Sequence, residues 1–258
     1  MIEATADGQV EFPEITLHVL EGSHPALAVE AALGSRGIAY ERVVLRIGPT
    51  YPQDVEAIYG EGKQTVPGML LGDEPVHGSM AIFERLDTLL ASDLAFFPEP
   101  HADEVREAAT WGDEVFQQAG RRLFWGSLQF KPHATAQAIG GEPLDPVGTD
   151  FAIKLVRGTW KHHGIDCVLV AEALSNLPGC LDRIDDLIGR GILGQNAELP
   201  NAADLQIGAT VALMATIGDL RPLFEDRPCA KLANLTQPRP GLIPAGAFPE
   251  HWMPTAAS

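Results

Sequence analysis

The sequence predicts an α/β domain followed by an all-α domain. Before Pro98–Pro100, short runs rich in β-branched residues alternate with runs whose apolar residues recur at helical spacing. After that point, nearly every apolar pattern has the helical period. A length of 258 residues is sufficient for two cores of ordinary size. We therefore expect an acidic tail at 1–13, an α/β domain at 14–97, a helical domain at 101–235 and a Pro-rich tail at 236–258.

The α/β domain opens with a predicted βαβ unit. A buried strand at Ile15–Leu20 is followed by a helix at Pro25–Arg36, which has proline in its first turn. Gly37 follows as a typical stop signal for a helix, and a second strand is predicted at Tyr40–Ile47. Because a helix connects the two strands, they should lie parallel in one sheet.

The rest of this domain is predicted to be a hairpin and a helix. After an irregular stretch, strands at Val66–Leu71 and Pro75–His77 flank a turn at Gly72-Asp73. The amphipathic pattern of Ser79–Leu90 predicts a helix with Ser79 as its N-cap. The predicted order is therefore βαβ-ββα.

The second domain is predicted from helical periodicity. The segment 130–149 contains Gly and Pro clusters and is expected to be a loop insertion. Asn201 and Asp204 have the spacing of a capping box at the start of a helix. The predicted helices cover 102–130, 150–163, 166–190, 202–217 and 229–235.

The net charge argues against two classes of partner. The chain has 18 basic and 35 acidic residues and a formal charge of −17, whereas nucleic acids and anionic membranes are bound largely through Lys and Arg. We expect neither partner. Cys167, Cys180 and Cys229 lack CxxC spacing and indicate reduced thiols in a cytoplasmic protein. His162-His163 has no third ligand at zinc spacing, so no metal is expected.

Three short motifs occur in an order that resembles one family. They resemble its S-x-P-x-x-x-V…G-I pattern, its V-P-x-L loop and its E-S-x-A-I helix start. The matching residues are Ser23-His24-Pro25 with Val29 and Gly37-Ile38, Thr65-Val66-Pro67 with Leu70, and Ser79-Met80-Ala81-Ile82. The chain thus resembles the cytosolic glutathione S-transferases (GSTs), in particular serine-type theta and delta classes and bacterial members. The resemblance covers residues 14–235 and implies a thioredoxin-like N-terminal domain followed by the all-helical GST C-terminal domain.

The resemblance implies that Ser23 is the catalytic residue. In such a site the serine donates a hydrogen bond to the thiolate of glutathione, and the start of the first helix adds favourable backbone dipoles. A hydrogen bond to a charged group contributes about 1.5–3 kcal/mol, which corresponds to about one or two pKa units. The alternative reading of Ser23 is an ordinary helix cap.

Five further residues are implied to bind the thiol. In the family the proline of the Val66-Pro67 loop is cis, and the backbone of Val66 then pairs with the cysteinyl part of glutathione. Ser79 would hold the γ-glutamyl carboxylate, and Lys63 and Gln64 are candidates for the glycyl carboxylate. The family's acidic residue before this serine is replaced by Gly78, which leaves open whether the thiol is glutathione. Each of these residues also has a purely structural reading.

The implied hydrophobic co-substrate would contact aromatic residues of the second domain. Trp111, Phe116 and Trp125 lie on its first long helix, although aromatic residues at helical spacing usually belong to a core. Arg121-Arg122 either faces the same cleft or is simply exposed. The resemblance further implies a cytoplasmic homodimer active in detoxification, with no tightly bound cofactor and with glutathione or an analogous thiol as co-substrate.

Three functions remain open from the sequence. The first is a transferase that conjugates glutathione or a related low-molecular-weight thiol to a hydrophobic electrophile. The second is a non-catalytic GST-fold module for ligand binding or dimerisation, which Gly78, the 130–149 segment and the Pro-rich tail favour. The third is an isomerase or reductive lyase that uses the same thiol. The absence of cysteine before residue 167 argues against thiol–disulfide exchange.

Overall fold

The N-terminal part of the chain is built on a four-stranded sheet. The computed structural model describes residues 13–48 and 50–254, so the predicted acidic tail, apart from Pro13, lies outside the described residues. The strands are β1 (Ile15–Val19), β2 (Glu41–Val44), β3 (Gly68–Leu71) and β4 (Glu74–His77), and their order in the sheet is β2-β1-β3-β4. β1 pairs parallel with β2 and β3 pairs antiparallel with β4, as predicted. β1 also pairs antiparallel with β3.

Helices pack on both faces of this sheet. α1 (His24–Ser35) and α3 (Ser79–Asp87) share one core with Met69 and Leu71 of β3. The side chain of Leu70 points to the opposite face, because successive strand residues alternate, and there it contacts α2 (Tyr51–Tyr59).

The helix α2 corrects the prediction of an irregular stretch before the hairpin. It buries Tyr51, Val55 and Tyr59, which are spaced four residues apart on one side. This apolar stripe covers a helix of only nine residues, and so short a stripe is a weak periodic signal.

The start of α3 corrects a second prediction. Its N-cap is Gly78, and Ser79 is the first helical residue, so the N-cap assignment of Ser79 is wrong. Gly78 has a φ of 93°, which glycine adopts without the steric cost that a side chain brings. Glycine at position 78 therefore forms this turn without backbone strain.

The second part of the chain is helical, as predicted. Its first helix is continuous from α4 (Ala102–Trp111) through a π-helical turn (Gly112–Phe116) into α5 (Gln117–Phe130). The next helices are α6 (Pro146–His163) and α7 (Cys167–Gly189). The central helix α8 (Ala202–Met214) is buried along its whole length and begins with the predicted capping box of Asn201 and Asp204.

The two parts pack into one continuous core. α1 and α3 pack against α8, and the buried side chains of the sheet, of α1 and of the helical part form a single cluster. Near this junction, the guanidinium of Arg36 donates to the carbonyls of Leu94 and Ala95, in the segment that leads into the helical part. Side chains from both parts therefore come together along the junction.

Residues 236–254, the C-terminal segment, lie against the helical part. Ile243 is fully buried and forms a parallel bridge with Ile217, and the N–H of Leu242 donates to Gln137 O at 3.0 Å. Gln137 belongs to the predicted loop insertion, which contains the short 3-10 turns Pro132–Thr135 and Gln137–Ile139. The insertion thus serves as a support for the C-terminal segment.

Within residues 13–48 and 50–254, none of the helices is long and apolar enough to cross a membrane alone. α6 and α7 have the necessary length and composition only when taken together, and they meet at a bend of 78°.

Candidate functional site

Ser23 stands at the start of α1, where the sequence motif places it. Its backbone caps the helix, since Ser23 O accepts from Leu27 N at 2.9 Å. Its side chain makes no capping hydrogen bond. Among the described residues, the N–H groups of His24 and Ala26 also have no acceptor. The hydroxyl and these N–H groups are therefore available to an anionic atom in front of the helix.

The Val66–Pro67 bond is cis, as predicted. The carbonyl of Pro67 accepts from Gly78 N at 2.9 Å, which ties the loop to the start of α3. The hydroxyl of Tyr51 lies beside the backbone of Val66: burial raises the pKa of Tyr51 to about 12, and a hydrogen bond from Val66 opposes that rise. The backbone group expected to meet a thiol peptide thus has a neighbouring tyrosine that sequence reasoning missed.

Ser79 is buried and faces a carboxylate of the helical part. Its hydroxyl donates to Asp113 Oδ1 at 3.4 Å. The same oxygen accepts from Gln117 Nε2 at 2.8 Å and from Gln206 Nε2 at 2.9 Å. Burial raises the pKa of Asp113, and the hydrogen bonds from Gln117 and Ser79 oppose that rise. Residues from α3, from the π-helical turn with α5, and from α8 therefore form one polar network at the junction of the two parts.

The network continues along α5 to Arg121, and a second arginine lies at the start of α1. Gln117 Oε1 accepts from Arg121 Nη2 at 2.8 Å. Arg239, in the C-terminal segment, donates from Nη2 to Gly22 O at 2.8 Å, directly before Ser23. Both guanidinium groups lower the pKa of His24, although burial is the larger cause. Burial also lowers the pKa of His163 on α6 to about 4, and the charge of Arg121 contributes.

Gln64 and Lys63 are exposed in the loop after α2. Gln64 Nε2 donates to Glu56 Oε1 at 2.7 Å, and the same oxygen accepts from Gly62 N at 3.0 Å. Gln64 is therefore already held by a carboxylate of α2. The Lys63 backbone N–H donates to Gly60 O at 3.2 Å.

Comparison with known proteins identifies the fold. No protein-family model and no curated protein matches the sequence. Solved structures do match. A β-etherase from Sphingobium sp. strain SYK-6 is 18% identical, with coverage of 88% of this chain and 96% of the other and a TM-score of 0.59. The chain has the glutathione S-transferase fold.

Two further solved structures also match this chain in fold. A theta class GST from Xanthomonas axonopodis pv. citri, solved with glutathione bound, is 18% identical, covers 78% of this chain and 82% of its own, and has a TM-score of 0.51. A GST-like protein from Pseudomonas syringae is 19% identical, covers 89% and 69% respectively, and has a TM-score of 0.52. The predicted fold class and resemblance are thus confirmed at the level of the fold.

The aromatic residues predicted to contact a co-substrate differ in exposure. Phe116 is fully buried and stacks on Trp111, with ring centroids 5.4 Å apart. Trp111 is half-buried beneath the guanidinium of Arg183. Trp125 is half-buried next to Phe124, and its carbonyl accepts from Trp160 Nε1 at 3.0 Å. In this conformation, accessible aromatic surface comes from the two tryptophans rather than from Phe116.

Sequence reasoning missed most of the charged residues at the junction. Asp113, Gln117 and Arg121 are spaced four residues apart on one helix, and this polar stripe was a usable signal. Gln206, His163 and Arg239 belong to other elements and carry no local pattern. A concavity of about 910 Å³ beside Arg36 and Tyr40 is lined by none of the predicted site residues. Among the described residues, no group of His, Cys, Asp or Glu is arranged to hold a metal ion.

Proposed function

We propose that this GST-fold protein binds glutathione or a related low-molecular-weight thiol and transfers it to a hydrophobic electrophile. The observation that carries the proposal is the side chain of Ser23, which stands at the start of α1 without making the capping hydrogen bond of an ordinary N-cap serine. A hydroxyl that the helix does not use is available to donate to a thiolate. Glutathione bound to a theta class GST of the same fold gives further support.

The rate advantage would come from the population of thiolate. A free thiol is mostly protonated at neutral pH, and the thiolate is the nucleophile. The Ser23 hydroxyl, donating to the charged sulfur, contributes about 1.5–3 kcal/mol, and the N–H groups of His24 and Ala26 add the dipole of the helix start. Holding the sulfur in contact with the electrophile supplies the rest. Ser23 stabilises charge and does not itself attack.

Binding of the thiol peptide would use both the α/β part and the helical part. The Val66 backbone beside cis Pro67 is proposed to pair with the cysteinyl unit, and the start of α3 at Ser79 to hold the γ-glutamyl carboxylate. The amine of that unit needs a carboxylate, which Gly78 does not offer. Asp113, 3.4 Å from the Ser79 hydroxyl, supports glutathione as the thiol because it offers one from the helical part. Lys63 is proposed for the glycyl carboxylate.

The electrophile is proposed to meet the aromatic surface of Trp111 and Trp125, with Phe116 behind it as core. Glu56 competes for the Gln64 side chain, so Gln64 contributes less to the thiol site than Lys63 in this proposal. We further propose a cytoplasmic homodimer with a role in detoxification, and no tightly bound cofactor.

The test has two stages. Calorimetric titration with glutathione, mycothiol and bacillithiol measures thiol binding. Conjugation of 1-chloro-2,4-dinitrobenzene by the wild type and by Ser23→Ala, at pH 6.5 and pH 9, then measures thiolate stabilisation. We expect Ser23→Ala to lose about tenfold or more at pH 6.5 and less at pH 9, where the thiol ionises unaided.

The matched control is Ser35→Ala, at the other end of α1, whose hydroxyl donates to Ala32 O at 3.0 Å. It should leave turnover at both pH values near that of the wild type. Absence of saturable binding by all three thiols would overturn the proposal and leave the non-catalytic module. An equal loss at both pH values would remove the thiolate role of Ser23.

A further inference from the structure

The junction between the two parts contains a group of cationic and neutral side chains that the thiol-binding scheme does not use. We call Arg121, Arg239, His24 and His163 the basic cluster. Its members come from α1, α5, α6 and the C-terminal segment. Arg239 reaches Gly22 O at 2.8 Å, and both arginines act on the pKa of His24. The cluster therefore borders the start of α1, beside Ser23.

The two arginines are half-buried, and within the described part of the chain neither is in contact with a carboxylate. Among the described residues, neither Arg121 nor Arg239 has an acidic oxygen within 4.0 Å. Burial lowers the pKa of Arg239 to about 10 and also lowers that of Arg121, which the charge of Asp113 opposes. Both groups remain cationic at neutral pH. Buried cations that are not paired are costly, and proteins normally pair them.

Two polar atoms of the cluster have no hydrogen-bond partner in the described part of the chain. They are Nε of Arg239 and Nε2 of His24, both fully shielded from solvent. His24 is only 6% exposed. Buried polar atoms without a partner are rare in folded proteins and commonly mark the place of a ligand or ion.

The chemistry of the cluster selects an anion. A neutral ligand or a water molecule would satisfy the Nε–H of Arg239 but would leave its charge uncompensated, and Arg121 would be opposed only by Asp113, which it reaches through Gln117. A carboxylate or sulfonate satisfies the N–H group, compensates the charge and pairs well with guanidinium. In a chain of net charge −17, such local concentration of positive charge is what an acidic ligand needs.

We infer that the basic cluster binds the acidic group, a carboxylate or sulfonate, of the electrophilic co-substrate, which makes acidic electrophiles the preferred class. The inference rests on the proposed thiol transfer. The carboxylates of the thiol have other candidate partners, at Ser79 and Lys63. Most of the cluster comes from the helical part and the C-terminal segment. Arg121 lies one turn before Trp125 on α5, the side that is proposed to meet the electrophile.

The test uses an unreactive matched pair of ligands on the full chain. 3,5-Dinitrobenzoate and 3,5-dinitrobenzamide differ in charge and little in shape. By calorimetry we expect the wild type to bind the acid about tenfold more tightly than the amide. The preference should fall to near one in Arg239→Gln and in Arg121→Gln. Arg122→Gln, which removes the same charge one residue away, should keep it.

The outcomes separate this inference from the proposed function. Equal binding of acid and amide by the wild type, or no binding of the acid, overturns the inference without any variant. So does a preference that survives in both Arg239→Gln and Arg121→Gln when circular dichroism shows them folded. If glutathione fails to bind while the acid preference is present and cluster-dependent, the proposed transfer fails and the anion site stands.

A second measurement tests whether the arginines act on the acidic group of the electrophile or only on the sulfur of the thiol. With glutathione present, kcat/KM for 4-chloro-3,5-dinitrobenzoate should fall about tenfold in Arg239→Gln, while kcat/KM for 4-chloro-3,5-dinitrobenzamide should change little. A similar fall for both electrophiles, together with a higher thiol pKa in the binary complex, would overturn the inference.

Discussion

The two sides of the junction beside Ser23 are built from different kinds of group. The α/β side presents the Ser23 hydroxyl, the backbone beside cis Pro67 and the start of α3, all of them uncharged. The helical side presents half-buried charged groups, with Asp113 and Arg121 joined through Gln117. The first side depends on backbone shape, and the second depends on electrostatic balance. This difference predicts that substitutions on the two sides fail in different ways.

The largest effect is expected where the α/β side tolerates no added atom. A Cβ at Gly68 would lie 2.2 Å from Cζ of Tyr59, whose hydroxyl is 2.6 Å from His18 Nδ1 in a buried contact. Gly68→Ala should therefore displace the tyrosine and cost about 3 kcal/mol of unfolding free energy. Urea denaturation of the variant and the wild type at neutral pH measures this difference in unfolding free energy.

The control for that substitution is Gly34→Ala, in α1, where an added Cβ meets nothing within 4 Å. It should stabilise the protein by about 0.5–1 kcal/mol. If Gly68→Ala were as stable as the wild type, the α/β side would not be governed by close backbone approach, and the contrast between the two sides would fail.

A smaller effect should appear on the helical side as a dependence on pH. The folded pKa of His163 is about 4, mainly through burial and also through Arg121 and His162, against 6.5 unfolded. The unfolded chain therefore binds a proton first as pH falls, and stability is full above pH 6.5 and is lost toward pH 4. Allowing for its partial exposure, His163 should account for about 2 kcal/mol of that loss.

Urea unfolding at pH 7.5 and pH 4.5 checks this prediction. The wild type should lose about 2 kcal/mol more than His163→Gln between the two values. The adjacent, exposed His162 supplies the comparison: because its charge is the smallest cause of the low pKa of His163, His162→Gln should lose slightly less than the wild type and clearly more than His163→Gln. Equal losses of unfolding free energy in all three proteins would mean that protonation of His163 does not destabilise the helical side.

The smallest effect is expected where the two sides meet. Asp113→Asn keeps an oxygen that accepts from Gln117 and Gln206 and removes the charge proposed to meet the γ-glutamyl amine. We expect glutathione to bind roughly fivefold more weakly, about 1 kcal/mol, by calorimetric titration. Glu114→Gln removes the same charge from the exposed neighbour and should bind as the wild type does. An unchanged affinity in Asp113→Asn would restrict thiol binding to the α/β side.

The same contrast explains how far the sequence could lead. Ser23, Pro67 and Ser79 belong to short motifs at helix starts and at a turn, where the conformation depends mainly on neighbouring residues. Their backbone positions could therefore be predicted largely from the sequence. The exception was the N-cap of α3, which is Gly78 and not Ser79. Most of the strands and longer helices could be predicted from periodicity. The apolar stripe of α2 (Tyr51, Val55 and Tyr59) was too short to give a clear periodic signal. Arg239 meets Gly22 only through the path of the C-terminal segment, and no local pattern encodes such a contact.

The π-helical turn at Gly112–Phe116 marks the place where this helix best tolerates a change in chain length. Such a turn holds about one residue more than an α-helical turn, so deleting one of its residues restores ordinary pitch with little rotation of α5 against α4. The same deletion elsewhere in the helix would rotate α5 against α4 by about 100°. α4 buries Val105 and Ala108 whereas α5 buries Leu123 and Leu128, and both faces stay buried only when that rotation is avoided. The exposed positions 114 and 115 are therefore where loss of a residue costs the least.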